Sequence, residues 1–453
     1  MSARNLVMLL SILFIMPLHA AYETGGVTKS ILSNGATILV QPEREAKVAA
    51  IEIFIRVGAD DENSTDTGIG QLLAGSILAG TETRSATKLA RLISEVGGNF
   101  HALWQWNYLE VYAVTVPEMC EETIALLSDS IQNSKLDGAA IGYARSSILK
   151  EISRKDGDPF NTAYTALRRK VQHNSPYDRP YLGDPAKLIT ISREQIKDFY
   201  EKNITADRMV ISIVGNVDAN KAVRKAEICF GNMPRGQMKA EAQTASVADT
   251  GEVTIEKPGP ATYVLLGYPA PGLESPDYPA MCVAHVLLGG NKSSLLFRKL
   301  REERGFGYQV GSLYPPLKGG SHLALYLGMD SARASSETIT AVKDAMVEQV
   351  AALKTGSFTD DDLERAKRYL IGNHALKHER ARDRAFNLGW HEAVGLGYQY
   401  DFQYADKIKR MARQDVIQVC ERFLNQRAAV ILSGSRPDQS GVAGSGTPKG
   451  LEP

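Results

Sequence analysis

Two histidines stand four residues apart in NHALKHER, His374 and His378, at the end of a run of helical phase that begins DDLERAKRYL. At i and i+4 they share one helix face and could grip a single ion together. Beside the second histidine, where a hydrolytic centre would place its general base, stands Lys377, which adds positive charge next to a would-be cation. The pair therefore reads as two histidines on a partly exposed helix face, and no metal is expected there. The four cysteines, Cys120, Cys229, Cys282 and Cys420, are widely spaced and form no CxxC pair. That excludes a zinc knuckle and a dense disulfide framework; buried free thiols are expected, with one or two bridges in an oxidising compartment as the alternative.

The elements that must position any chemistry are legible in the patterning. At 453 residues the chain calls for two or more domains. Lys+Arg and Asp+Glu are balanced at 52 each, so no basic field points to nucleic acid or a membrane surface. Two strand-like runs hinge at Asn34-Gly35, a hairpin signal. In KVAAIEIFIRVGA, Ile51, Ile53, Ile55 and Val57 alternate with Glu52, Phe54 and Arg56, which predicts a strand with one face in a core. Helices are expected at Thr87 to Val96 and Glu121 to Ser134, with a strand in LEVYAVTV between them. Interleaved strands and helices give an α+β class, helices packed on largely antiparallel sheet.

The chain also matches itself. Ile191 to Asn216 parallels Met411 to Ser435, each a helix, a turn and a strand, and the segments starting at Glu121 and Ser336 form a second pair. Two matches in the same order predict two homologous halves in a clam-like pair. They are expected at residues 27–235 and 252–436, with a polar linker at 236–251 and a disordered tail at 437–453. Residues 1–21 have the layout of a secretory signal peptide: Arg4, an apolar run from Leu6 to Met16, then Pro17 to Ala21. Export to the periplasm or the exterior is expected. Leu6 to Met16 falls short of the ~20 residues a spanning helix needs, and no later stretch is apolar and long enough.

GIGQLLAGSILAGTETR, from Gly68 to Arg84, resembles the active-site helix of the pitrilysin/insulinase family of inverted zincins, which read G-x-A-H-F-L-E-H-x-L-F-x-G-T at this point. GGNFHALWQWNYLEVYAV, ILKEISRKDGDP, HNSPYDRPYLG and LLFRKLREERGFGY match further landmarks of that family in the same order. By this resemblance the first zinc histidine falls on Gln71, the general-base glutamate on Ala74 and the second zinc histidine on Gly75. The third ligand falls on Glu151 and is kept, and a supporting acidic residue falls on Ala144. A catalytic zinc needs about three protein ligands, and a positioned base is worth ~10²–10⁴ in rate. Neither requirement is met, so no bound cofactor and no catalytic residue are expected on this chain alone.

The resemblance also implies an Arg and a Tyr seven positions apart in the second half, matched by Arg301 and Tyr308. In active relatives this pair faces the zinc site, where a tyrosine hydroxyl can donate to a developing oxyanion and the arginine can anchor substrate. Relatives bind peptide along a strand edge matching Phe100 to Trp106, though the usual Asn is His101 here. Trp104 and Trp106 suit a groove lining or a strand core equally. Some family members divide the work between a chain with HxxEH and a chain that has lost it but keeps the Arg/Tyr pair. This sequence has the second pattern, which implies the zinc-less subunit of a heterodimeric peptidase whose partner carries HxxEH and the zinc. The alternative is a structural or peptide-binding scaffold of the same fold; an active enzyme with a rearranged site ranks last.

Overall fold

The computed structural model describes residues 25–236 and 250–434. The expected signal peptide, almost all of the expected linker and the expected tail lie outside the described residues. The first half runs β1 (Thr28–Ile31), β2 (Thr37–Pro42), β3 (Ala49–Ile55), α1 (Ile69–Ser76), α2 (Ala86–Glu95), β4 (Asn99–Trp104), β5 (Leu109–Thr115), α3 (Cys120–Gln132), α4 (Gly138–Gly157), α5 (Pro159–Val171), α6 (Pro185–Thr190), α7 (Arg193–Asn203), β6 (Met209–Gly215) and α8 (Ala219–Phe230). The second runs β7 (Glu252–Glu256), β8 (Ala261–Ala270), α9 (Tyr278–Leu288), β9 (Gln309–Leu313), β10 (Ser321–Asp330), α10 (Ser336–Lys354), α11 (Asp360–Leu376), α12 (Ala381–Ala393), α13 (Gln399–Arg410), α14 (Arg413–Phe423) and β11 (Ala428–Ser433).

Each half builds one sheet, in the orders β1-β2-β6-β3-β5-β4 and β7-β11-β8-β10-β9. Setting β1 aside, the two orders are one topology used twice. Even the single parallel pair recurs, β2 with β6 and β7 with β11, while the other pairs are antiparallel. The sheets are therefore mixed but mostly antiparallel. The matched segments occupy equivalent places, α7–β6 and α14–β11, each ending in a strand held between a parallel and an antiparallel neighbour. Local signals set the element ends. Gly35 takes φ +94° in the hairpin, and Ser192 and Gln195 close a capping box on α7. All four cysteines are free.

One expectation is corrected. β3 is buried along both faces, with Glu52 and Phe54 fully enclosed. The reason is long-range. The two halves exchange helices: α12 of the second packs on β3 and β6, and α5 of the first packs on β8 and β11. Under α12, Phe54 meets the edge of the Phe386 ring at 5.4 Å. Arg382 reaches both buried carboxylates there, Nη2 to Glu110 at 2.7 Å and Nε to Glu52 at 3.1 Å. Burial, ahead of the mutual repulsion with Glu110, raises the Glu52 pKa, and burial also raises that of Glu110. Under α5, His322 lies between the Tyr164 hydroxyl, 2.9 Å from Nε2, and the Gln172 amide, 3.3 Å from Nδ1. Burial keeps that imidazole neutral, with its pKa pulled down to about 3.

Candidate functional site

The helix that would hold zinc is present as α1, and glycine decides how it packs. The chain enters it through Gly68 at φ +100°, a left-handed conformation beside Leu188 and Gly183. The buried Glu62 carboxylate accepts from the amides of Gly68 at 2.8 Å and Gly70 at 3.1 Å, pairing two N-terminal N–H groups. Burial pushes the Glu62 pKa up to about 7. A Cβ at Gly70 would stand 2.0 Å from the Trp104 indole, and one at Gly75 would stand 2.7 Å from the Ala144 Cβ on α4. Two positions where the family places bulky polar groups, 75 and 144, thus hold the smallest side chains and touch.

Beside this helix lies a cavity of about 290 Å³ lined by Gln71, Ala74, Gly75, Trp104, Tyr143, Tyr181 and their neighbours. Its lining contains no histidine and no carboxylate. The Gln71 amide donates to the Tyr181 carbonyl at 3.3 Å. Glu151 is not in the lining; both its oxygens accept from Arg154, at 2.7 and 2.8 Å. The hydrogen bond from Arg154 holds the Glu151 carboxyl below the usual range. One pinned amide and one occupied carboxylate do not fit a zinc ion, which needs about three convergent ligands. No general base faces the cavity either.

β4 is the sheet edge expected to receive peptide, but its end is partly occupied, since the Tyr181 hydroxyl donates to the Trp104 carbonyl. Trp104 is buried, 5.9 Å edge-on from the Phe199 ring, and also borders the cavity. Trp106 packs against Tyr181, Tyr177 and the Arg168 guanidinium. Both tryptophans therefore serve the core, Trp104 with one side toward the groove. His101 is exposed and stacks on Tyr112 at 4.7 Å.

Arg301 lies in a π-helical turn, Phe297–Glu303, and Gly305 follows at φ +60°. Its Nη1 donates to the Tyr308 carbonyl at 2.8 Å, and its guanidinium sits 4.8 Å from the Phe297 ring. The spacing of seven is thus a physical contact. Tyr308 is 71% exposed at the start of edge strand β9, and Arg301 is exposed too. Neither lines the cavity beside α1. Among the side chains that sequence patterning passed over are Glu62, which caps α1, and Asp401, which meets His374 and His378. Glu62 acts six and eight residues ahead, beyond the spacing of a capping box, and Asp401 acts on residues more than twenty positions away.

The chain is similar to known proteins over most of its length. Residues 37–184 match the family model described as insulinase (peptidase family M16), and residues 190–370 match the one described as peptidase M16 inactive domain. An uncharacterized zinc protease of Rickettsia bellii is 26% identical over 407 residues, covering 89% of this chain and 97% of its own. One from Mycobacterium leprae is 25% identical over 418 residues, covering 91% and 93%. In fold, a peptidase M16 inactive domain from Pseudomonas fluorescens matches with TM-score 0.82 at 20% identity, covering 90% of this chain and 98% of that one. A Helicobacter pylori protease matches with TM-score 0.80 at 18% identity, covering 90% and 99%.

Proposed function

The chain belongs to the insulinase family of peptidases, and from that premise we propose that it is the zinc-less subunit of an exported heterodimeric zinc peptidase. It lends Arg301 and Tyr308 to a homologous partner chain that carries HxxEH and the zinc. The observation that supports this reading most is the asymmetry of what is kept. The metal-binding positions on α1 hold Gln71 and Gly75, the latter packed against Ala144, whereas Arg301 and Tyr308 remain coupled, exposed and unburied by their own chain. An exposed phenol beside a fixed guanidinium is a poor core element. As donors to another chain's site the two have a role: the phenol hydroxyl stabilises charge developing on the scissile carbonyl, and the guanidinium holds the Tyr308 backbone in place. The peptide would lie between the chains, where main-chain pairing to a strand edge tolerates varied substrate sequence.

The test is reconstitution. The chain alone should cleave nothing; mixed with the HxxEH homologue exported by the same cell, it should yield peptidase activity. Tyr308→Phe should lower kcat/KM of the mixture by ~10²–10³, the usual cost of losing one oxyanion donor, while leaving the thermal midpoint of the chain unchanged. Mixed activity indifferent to both Tyr308→Phe and Arg301→Ala would overturn the proposal and leave the scaffold reading.

A further inference from the structure

His374 and His378 were expected to be an unremarked pair on a helix face. The fold changes their setting by bringing α13 across the end of α11. Asp401 of α13 is 3% exposed, and its Oδ2 stands 2.7 Å from His378 Nε2. His374 Nε2 lies 3.8 Å from Asp401 Oδ1, and 3.1 Å from the Asp401 carbonyl. Donor atoms of His374, His378 and Asp401 all fall within 4.8 Å of one another. The opposite nitrogen of His378, Nδ1, lies 2.7 Å from the His374 carbonyl. That bond places a proton on Nδ1 and turns Nε2 toward the carboxylate, as in metal-ligating histidines; with no ion the hydrogen bond to Asp401 raises the His378 pKa, and an ion would displace that proton from Nε2. A third imidazole stands behind: His391 Nδ1 of α12 is 3.6 Å from Asp401 Oδ1. Both of these buried atoms lack a hydrogen-bond partner.

We propose that His374, His378 and Asp401 form a binding site for a divalent transition ion of the zinc class, with His391 orienting the carboxylate from within. Two neutral imidazoles and one carboxylate are a borderline donor set suited to zinc. They leave one coordination position for water or for His391. The two histidines are partly exposed, at 19% and 26% of their side chains, which gives an ion a way in. The nearby Arg384 is committed elsewhere: it is ion-paired to Glu43 and donates to the His378 carbonyl. The ion would join α11, α12 and α13, and α12 is the helix that crosses onto the other half's sheet. Its role is therefore structural, a clamp on the exchange between halves. It involves neither Arg301 nor Tyr308 and does not depend on the proposed partner.

The experiment uses the chain without its signal segment, stripped with a chelator and then dialysed against micromolar Zn²⁺. Elemental analysis should find one zinc per chain, and zinc should raise the thermal midpoint relative to chelator-treated protein. His374→Gln/His378→Gln removes the partners of the buried Asp401 carboxylate and should unfold below the wild-type temperature in chelator, so each protein's zinc-induced rise is read against its own midpoint in chelator. The double variant should lose the retained zinc and the zinc-induced rise, with affinity at least 100-fold weaker. Cobalt should give the intense visible bands of a tetrahedral site in the wild type and not in the double variant. Wild-type protein that retains no zinc, or a double variant that retains it equally, would overturn the site.

Discussion

Gly75→Ala provides a direct test of how α1 packs against α4. Apolar carbons rest at about 3.5–4.0 Å, and the added methyl would stand 2.7 Å from the Ala144 Cβ. Both carbons are fixed by helix backbones, so α1 and α4 must separate by most of an ångström. Overpacking of this kind costs ~1–3 kcal/mol. Against it runs the helix preference for Ala over Gly, about 1 kcal/mol. Gly75→Ala alone should therefore change stability by between about 0 and 2 kcal/mol, in the unfavourable direction. With Ala144→Gly already in place the clash disappears, and the same substitution should stabilise by about 1 kcal/mol. The coupling between the two sites is then ~1–3 kcal/mol. Urea unfolding of the four proteins, followed by the fluorescence of Trp104 and Trp106 in this half, measures it. Stabilisation by about 1 kcal/mol in both backgrounds, with no coupling, would refute the contact argument. The cycle also bears on grafting HxxEH onto positions 71, 74 and 75. A histidine at 75 brings its own Cβ, so a graft should fold with wild-type stability only if Ala144→Gly accompanies it.

Other outcomes follow from the buried charges. Arg382→Ala strands Glu52 and Glu110 beneath α12; unfolding by denaturant should show a loss of ~3–5 kcal/mol, as for a broken buried ion pair. Glu62 has a folded pKa of about 7 against 4.5 unfolded. Its contribution is thus fully present below 4.5 and lost as pH rises through 7. Stability measured from pH 5 to 8 should fall less steeply in Glu62→Gln than in wild type. His322 has the opposite sign: its pKa is about 3 in the fold and 6.5 outside. It resists protonation only in the folded state and costs stability as pH falls below 6.5. His322→Gln should flatten that acid limb by up to about 1.4 kcal/mol per pH unit, seen in urea midpoints at pH 6 and 5.

What the sequence by itself determined is mainly local or repeated. Asn34-Gly35 specifies the first hairpin through its turn geometry, and the segments ending in Gly215 and Gly434 disclose the duplication because each carries its own period. The resemblance to the zinc motif was equally legible, since the family pattern places its two histidines and its glutamate on Gln71, Gly75 and Ala74 of one short helix. Arg301 and Tyr308 could be paired by spacing, although only the structure shows the guanidinium on the Tyr308 carbonyl. Other features had no local trace. The alternation in β3 spoke for one buried face, and the second is buried because α12 arrives from more than three hundred residues away. Gly75 looks like any helical glycine until α4 lays Ala144 against it. His374 and His378 read as surface residues until α13 brings Asp401 between them. Period and capping act over one or two helical turns, so sequence reports them; helix exchange, glycine contacts and convergent donors depend on which distant surfaces meet, and only the packed chain decides that.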